Sequence, residues 1–449
     1  MAGMIAGALW FCSTEAQGVD NPDSLAAHGA EFKPRVIEVT DGVHVAVGFG
    51  LANSILIEGT DGVVIVDTME SARAARAVKA EFDKITHKPV KAIIYTHHHY
   101  DHIMGAAVFA GDDHPEIIAH ELTLSLVKRA SGTLRRAMLP RNIRQFGIML
   151  RGKDLLNAGI GSRLVLDRRG APSQFLPPTK TVSQPRTPLE IAGLRLELVH
   201  APGETADQIY VWLPEKKTLL CGDNFYWAFP NLYAIRGTAY RDPQLWVDSL
   251  DQMLAEPAEH LVPSHTRPIE GHARIHEVLT NYRDAIKFVL DATLDGMNRG
   301  LTPDELVQEV KLPAQLAEQP YLKPYYGTVP WSVRTIYSGN LGWFDGNATH
   351  LFSLPPREKA LRMARLAGGE DALLAKARQA VKERDFQWAA ELADYLIVLR
   401  PEPGEPHSLK AQACLALGAR QQSANARNYY LATARELEAA VRAHAAKSR

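Results

Sequence analysis

His97, His99, Asp101 and His102 lie in the run Thr96-His97-His98-His99-Tyr100-Asp101-His102. Imidazole and carboxylate are the donors that zinc takes. The order His-x-His-x-Asp-His lets His97 and His99 face one metal while Asp101 and His102 face a second. Two ions at about 3.5–4 Å can share a hydroxide and clamp an oxyanion. Such a loop needs a rigid base, and Val90-Lys91-Ala92-Ile93-Ile94-Tyr95 immediately before it reads as a buried strand. The site then falls at the C-terminal end of a strand, where α/β sheets place their chemistry.

Further donors follow in usable order. Val199-His200-Ala201-Pro202-Gly203-Glu204 contributes a carboxylate, Gly222-Asp223-Asn224 a second, and Leu261-Val262-Pro263-Ser264-His265 an imidazole. Each follows a short apolar strand-like run. An isolated Asp after a strand is ordinarily a turn or cap residue. Their order behind the first motif makes Asp223 and His265 candidate ligands.

This arrangement resembles the metallo-β-lactamase fold, an αββα sandwich with its metals in a shallow groove. Most of that superfamily has His after the Pro-Gly turn, where this chain has Glu204, nineteen residues before Asp223. A carboxylate at that spacing resembles the type III alkyl/aryl sulfatase family. Asn231-Leu232-Tyr233-Ala234-Ile235-Arg236-Gly237 is similar to its sulfate-binding segment. Tyr326-Gly327-Thr328-Val329 and Leu341-Gly342-Trp343-Phe344-Asp345-Gly346-Asn347 are similar to its helical dimerisation region, which Leu354-Pro355-Pro356 and Arg427-Asn428-Tyr429-Tyr430-Leu431 continue. The resemblance runs from about Glu31 to Leu437.

The resemblance implies a dinuclear zinc hydrolase of sulfate monoesters, with two Zn2+ per chain and a homodimer. His97, His99, Glu204 and Asp223 would hold one zinc; Asp101, His102, His265 and a bridging Asp223 would hold the other. Two zinc ions, three carboxylates and a bridging hydroxide leave such a site near neutral, so a monoanion needs a dedicated cation. Arg236, thirteen residues after Asp223, is that candidate, because guanidinium meets tetrahedral oxyanions with paired donors. Asn231 donates beside it and Tyr233 flanks it. Asp101, Arg236 and Asn231 form the catalytic set, with a metal-bound or adjacent water as nucleophile.

Three departures from the family are visible. Its Ala-Glu-Asn becomes Gly222-Asp223-Asn224. Its Tyr-Gly-Thr-Val-Ser-His-Asn becomes Tyr326-Gly327-Thr328-Val329-Pro330-Trp331-Ser332. An indole donates a hydrogen bond but carries no proton to a leaving group, so Trp331 is expected to form a wall of the substrate site. The longer members also carry a lipid-carrier-like domain beyond the point where this sequence ends, at Arg449. Aryl or short-chain esters are therefore the expected substrates.

Other dizinc hydrolases share the scaffold, among them phosphodiesterases, lactonases and β-lactamases; Glu204 and the Asn231/Arg236 pair distinguish the sulfatase reading. A non-catalytic helical assembly protein with a relic metal site is opposed by the complete ligand set.

Composition sets the outer bounds. A chain of 449 residues suggests two or three domains. The expected division is an arm or clipped signal over 1–30, a catalytic domain over 31–275 and an α-helical dimerisation domain over 276–449. A formal net charge of −1 gives no basic field for nucleic acid. Cys12, Cys221 and Cys414 make no disulfide framework, and Cys221 reads as a buried small hydrophobe. There is no 18-residue apolar run, hence no expected membrane span. Met1 to Cys12 is apolar without a preceding cation; with Ser13 to Gly18 it fits a clipped export signal or a loose arm, which leaves the compartment open between periplasmic or secreted and cytoplasmic.

The elements around the site are legible in outline. Residues 36–66 read as strands turning at Asp41-Gly42, Glu58-Gly59 and Asp61-Gly62. Val63 to Thr68 is a buried strand ending in Asp67, which in the superfamily supports the metal loop. Ser71 to Ile85 is a helix. Residues 121–173 are helical and then irregular, with paired arginines, and form an insertion over the groove. Strands return near Leu189, and Pro243 to Leu254 is a helix. From Gly271 the period is helical through Ile275, Val278, Leu279, Tyr282, Ile286, Val289 and Leu290. Thr302-Pro303-Asp304-Glu305 is an N-cap. Residues 316–347 are aromatic and turn-rich and are expected beside the site. After Pro356 the chain is Ala- and Leu-rich helix, with a tetratricopeptide-like hairpin over 386–417.

Overall fold

Strand β4 (Val63–Val66) is buried at every position, and that fixes the layering. A strand covered on both faces reads as a continuous apolar run. Its neighbours in the first sheet are β1 (Arg35–Thr40), β2 (Val43–Val47), β3 (Ser54–Glu58), β5 (Val90–Ile94), β6 (Glu116–His120) and β7 (Lys180–Val182). They lie in sequential order, antiparallel up to β4 and parallel from β4 to β7. The second sheet holds β8 (Arg186–Ile191), β9 (Leu194–His200), β10 (Ile209–Leu213), β11 (Thr218–Gly222), β12 (His260–Pro263) and β13 (Ile269–Glu270), also in sequential order. This computed structural model describes residues 24–168 and 170–447; the expectations for Met1 to Gly18 and for Cys12 lie outside them.

Successive strand side chains point to opposite faces. Val64, Val66 and Ile94 therefore meet Leu198, Val211, Leu220 and Val262 between the sheets. Val63, Ile65 and Ile93 face outward onto α1 (Ala72–Phe82), packing with Ala74, Val78 and Phe82. Ser71 caps α1 by accepting from the Ala74 N–H, as an N-cap serine should. After β6 come α2 (Thr123–Ser131) and α3 (Arg135–Gln145), then irregular chain up to β7. On the outer face of the second sheet, Tyr210, Leu219 and Cys221 pack against Trp246 and Leu250 of α4 (Pro243–Leu254) and Tyr282 of α5 (His272–Asn298). The result is a helix–sheet–sheet–helix sandwich. Cys221 and Cys414 are free and buried.

The remainder is helical. Thr302 starts α6 (Pro303–Glu309) with a full capping box to Glu305. The segment 316–347 departs from its turn-rich expectation: it contains α7 (Val329–Leu341). Thr328 caps this helix and Pro330 sits in its first turn, where a missing N–H costs no helical bond. Then follow α8 (Pro356–Ala367), α9 (Glu370–Lys382), α10 (Phe386–Leu399), α11 (Glu405–Ala419) and α12 (Ala424–Lys447). The hairpin expected over 386–417 is α10–α11. The last helix returns to the sandwich. Arg144 of α3 pairs with Glu436 of α12 at 2.8 Å, and its guanidinium lies over the Tyr429 ring. Among the described residues no helix is long and apolar enough to cross a membrane.

Candidate active site

Asp67 organises the site from behind. It ends β4 in a left-handed conformation, φ 59°, and is fully buried. Its carboxylate accepts from the Thr96 N–H and hydroxyl, each at 2.9 Å, and from the Ser264 hydroxyl at 2.7 Å. His102 Nδ1 lies 2.8 Å away on the same carboxylate. One buried acid thus ties together three strand ends, those of β4, β5 and β12, and turns His102 Nε2 into the groove. Such partners orient metal-binding imidazoles. The Leu51 carbonyl does the same for His265, lying 2.8 Å from its Nδ1.

The ligand atoms then converge. Asp223 Oδ2 is 3.6 Å from His97 Nε2, 3.5 Å from His102 Nε2 and 3.3 Å from His265 Nε2. Asp101 Oδ2 is 3.5 Å from both His102 Nε2 and His265 Nε2. His97, His99 and Asp223 form one group whose ligand atoms lie within 4.8 Å of one another; Asp101, His102 and His265 form a second. His102 Nε2, His265 Nε2 and Asp223 Oδ1 are buried and have no hydrogen-bond partner. Buried polar atoms are normally satisfied, so imidazole and carboxylate atoms aimed at a common point fit a metal ion. Gly222 permits the approach: a Cβ there would stand 1.9 Å from Gln208 Nε2.

Charge follows the carboxylates. Burial pushes His97 down to about 4, with His102 adding repulsion. Burial also opposes charge on His102, but Asp223, Asp101 and Asp67 hold it well above the usual histidine range. His98 turns away from the groove: its Nδ1 lies 2.8 Å from Asp207, which also accepts from Thr123.

Glu204 stands at the edge of this cluster. Its Oε1 is 3.9 Å from His99 Nδ1 but 2.7 Å from Arg241 Nη1, and both partners are almost wholly buried. The Tyr226 hydroxyl donates to Glu204 Oε2 at 3.3 Å and accepts from the Asn231 N–H at 2.8 Å. Burial raises the Glu204 carboxyl to about 7 against the pull of Arg241. From the sequence, Arg241 and Tyr226 have no assigned role, and Tyr326 is placed only in a dimerisation-region motif. Arg241 precedes a helix-capping Asp242 and there resembles any solvated charge.

Beside the cluster, unpaired donors accumulate. Arg236 Nη2 lies 3.0 Å from His99 Nε2, and its backbone N–H donates to Gln145 at 2.8 Å. Arg236 Nε, Arg241 Nε and Nη2, and both side-chain polar atoms of Asn231 are buried without partners. Tyr233 is half-buried on the same loop. Trp331 sits half-buried in the first turn of α7, its N–H capped by Thr328. From that segment Tyr326 is buried and close enough to feel the charges of Glu204, Arg236 and Asp101.

Residues 47–265 match the metallo-beta-lactamase superfamily and residues 302–440 match the alkyl sulfatase dimerisation family. A linear primary-alkylsulfatase of Pseudomonas sp. (strain ATCC 19151) is 42% identical over 394 residues, covering 85% of this chain and 73% of that protein. The chain belongs to the alkylsulfatase family. Another family relative, the alkyl/aryl-sulfatase of Saccharomyces cerevisiae, is 30% identical over 90% of this chain and 64% of its own length. The solved structure of the stereoselective inverting sec-alkylsulfatase Pisa1 from Pseudomonas sp. superposes with a TM-score of 0.85 at 29% identity, over 90% of this chain and 65% of that one. The family's sandwich and helical region are thus both present, although the chain spans only about two thirds of these last two proteins.

Proposed function

We propose that this chain hydrolyses sulfate monoesters of alkyl or aryl alcohols to the alcohol and inorganic sulfate, using two zinc ions. The observation that carries this is the junction of two ligand groups through Asp223 with the partnerless donors of Arg236 and Asn231. His97, His99, Glu204 and Asp223 would hold one ion; Asp101, His102, His265 and Asp223 the other. When bound, the zinc ions supply Lewis acidity and a nucleophilic water at neutral pH.

The side chains do the rest. Arg236 Nε presents a free donor to one sulfate oxygen, and Asn231 Nδ2 donates to another. Donors preorganised in a buried site stabilise charge that grows as the ester bond breaks. Asp101 keeps some exposure, 14% of its side chain, so its carboxylate can orient the attacking water as acceptor. The Arg241–Glu204 pair holds a cation beside the cradle without adding net charge. Tyr326 and Tyr226 exclude water behind it. Trp331 and Tyr233 would wall the groove mouth.

The same scaffold could open phosphodiesters, lactones or β-lactams; lactones and β-lactams bring no tetrahedral monoanion to the buried cradle, and a phosphodiester, which does, is separated by the assay. The test is a panel of primary, secondary and aryl sulfates, short and long, read by ion chromatography of inorganic sulfate, run beside a phosphodiester and a lactone. Sulfate release with co-purifying zinc is expected. Turnover of the phosphodiester or lactone alone overturns the reading, and so does a protein without metal.

A further inference from the structure

Between Leu122 and Lys153 the chain carries eight Lys and Arg and no Asp or Glu, although its formal net charge is −1. Six of these eight sit on the α2–α3 hairpin. Arg144 is paired with Glu436. By contrast Lys128, Arg129, Arg135, Arg136 and Arg141 are all exposed, and none has a carboxylate partner among the described residues. Leu134 and Leu139 stand among them at 40% and 48% exposure. One face of α3 is fixed: Gln145 and Phe146 are buried at its end. The opposite face is left open, both cationic and apolar.

The hairpin also borders the anion cradle. Arg141 Nε donates to the Ile235 carbonyl at 3.0 Å, and Gln145 accepts from the Arg236 N–H. A Cβ on Gly237 would lie 3.9 Å from Met138. Tyr100, in the metal loop and 43% exposed, bonds Ser131 and feels both Arg135 and Arg236.

We infer that α2–α3 is a docking surface for an aggregate of an anionic amphiphile, a micelle or film of the sulfate ester itself. The inference rests on the sulfate-ester reading above. A single monoanion is fully served by Arg236 and Asn231, so five further unpaired cations exceed what one substrate molecule can use. Sulfate headgroups packed at an aggregate surface match several cations at once, and the apolar interior beneath them takes Leu134 and Leu139. Basic helices with an apolar face bind anionic interfaces in this way. A two-fold contact with a second copy through this face would set the cations against themselves.

The test is co-sedimentation of the full chain with phosphatidylcholine vesicles, plain or doped with a long-chain alkyl sulfate. Wild-type protein should sediment with the doped vesicles, and added salt should release it. The variant Lys128→Gln/Arg129→Gln/Arg135→Gln/Arg136→Gln should bind them at least about a hundredfold more weakly, since each cation near an anionic surface contributes about fivefold. Leu134→Gln/Leu139→Gln should also weaken binding while leaving its salt dependence. In both variants kcat for a short soluble sulfate ester should stay at the wild-type value, while hydrolysis of the vesicle-held ester falls with binding. Equal binding by wild type and the charge variant overturns the surface, as does equal binding to plain vesicles or capture of duplex DNA in preference to doped vesicles. If wild type cleaves no sulfate ester yet sediments only with doped vesicles, the surface stands and the catalytic reading falls.

Discussion

Arg241 Nη1 stands 2.7 Å from Glu204 Oε1, and both side chains are almost wholly withdrawn from water. The carboxylate therefore lies between a guanidinium and the imidazole of His99. Removing one partner leaves the other charge buried and unpaired, which costs about 3–5 kcal/mol. Arg241→Met should destabilise the fold by that amount in urea unfolding. Adding Glu204→Gln should restore part of the loss, so the two changes together cost less than their sum. Strict additivity would show that the pair contributes no coupling.

Asp223 is the carboxylate on which His97, His102 and His265 all converge. Asp223→Ala should empty both ion positions together, with metal content by mass spectrometry falling towards zero and sulfate release lost. Circular dichroism should be unchanged. Retention of the wild-type metal content would refute the bridging role.

Arg236→Ala deletes the guanidinium beside His99. A charge-assisted contact of about 2–3 kcal/mol implies a fall in kcat/KM for sulfate esters of roughly 10²-fold. Metal content should not change. Undiminished cleavage would remove Arg236 from the anion cradle.

Glu70 supplies a pH test at a residue outside the ligand set, although the charge of Asp101 also reaches it. It accepts from the Leu51 and Val165 N–H groups, and its Oε2 is buried without a partner. Burial raises its carboxyl from 4.5 to about 7, against those two hydrogen bonds. The folded state then holds a proton that the unfolded state has lost. Its contribution is complete below pH 4.5 and disappears as pH rises to about 7, a difference of roughly 3 kcal/mol. Glu70→Gln should flatten the stability profile across that window in urea titrations at pH 5 and pH 8. An unchanged slope would exclude Glu70 as its source.

The end of α7 and the segment after it expose Leu341, Trp343 and Phe352 at 56%, 73% and 95%, inside the match to the dimerisation family. Clustered exposed apolar side chains mark an interface. The protein should sediment as a dimer, and Trp343→Asp/Phe352→Asp should convert it to a monomer. A monomeric wild type at micromolar concentration would contradict this.

Much of the site was written locally. Val63 to Val66 and Val90 to Ile94 are apolar runs that only a doubly covered strand explains, and the donors at the ends of the strands follow from them. Pro243 to Leu254 and the Thr302 cap are set by residues within a turn of one another, so the chain alone defines those boundaries. The helix at Val329–Leu341 escaped because Gly, Pro and aromatic residues resemble turn chemistry, and only the Thr328 cap reveals it.

Pairing and burial were decided by distant chain. Arg241 reads as a solvated charge until the fold closes it onto Glu204 and the Asn231 carbonyl. Its partner Glu204 reads as a plain metal ligand until the same closure places a guanidinium at 2.7 Å. Arg144 and Glu436 lie 292 residues apart in the sequence, yet they join α3 to the last helix. Strand and helix preferences are encoded over a few residues, and so they survive in the sequence. Which charge loses its water depends on surfaces brought together across hundreds of residues, and that information exists only once the chain has folded.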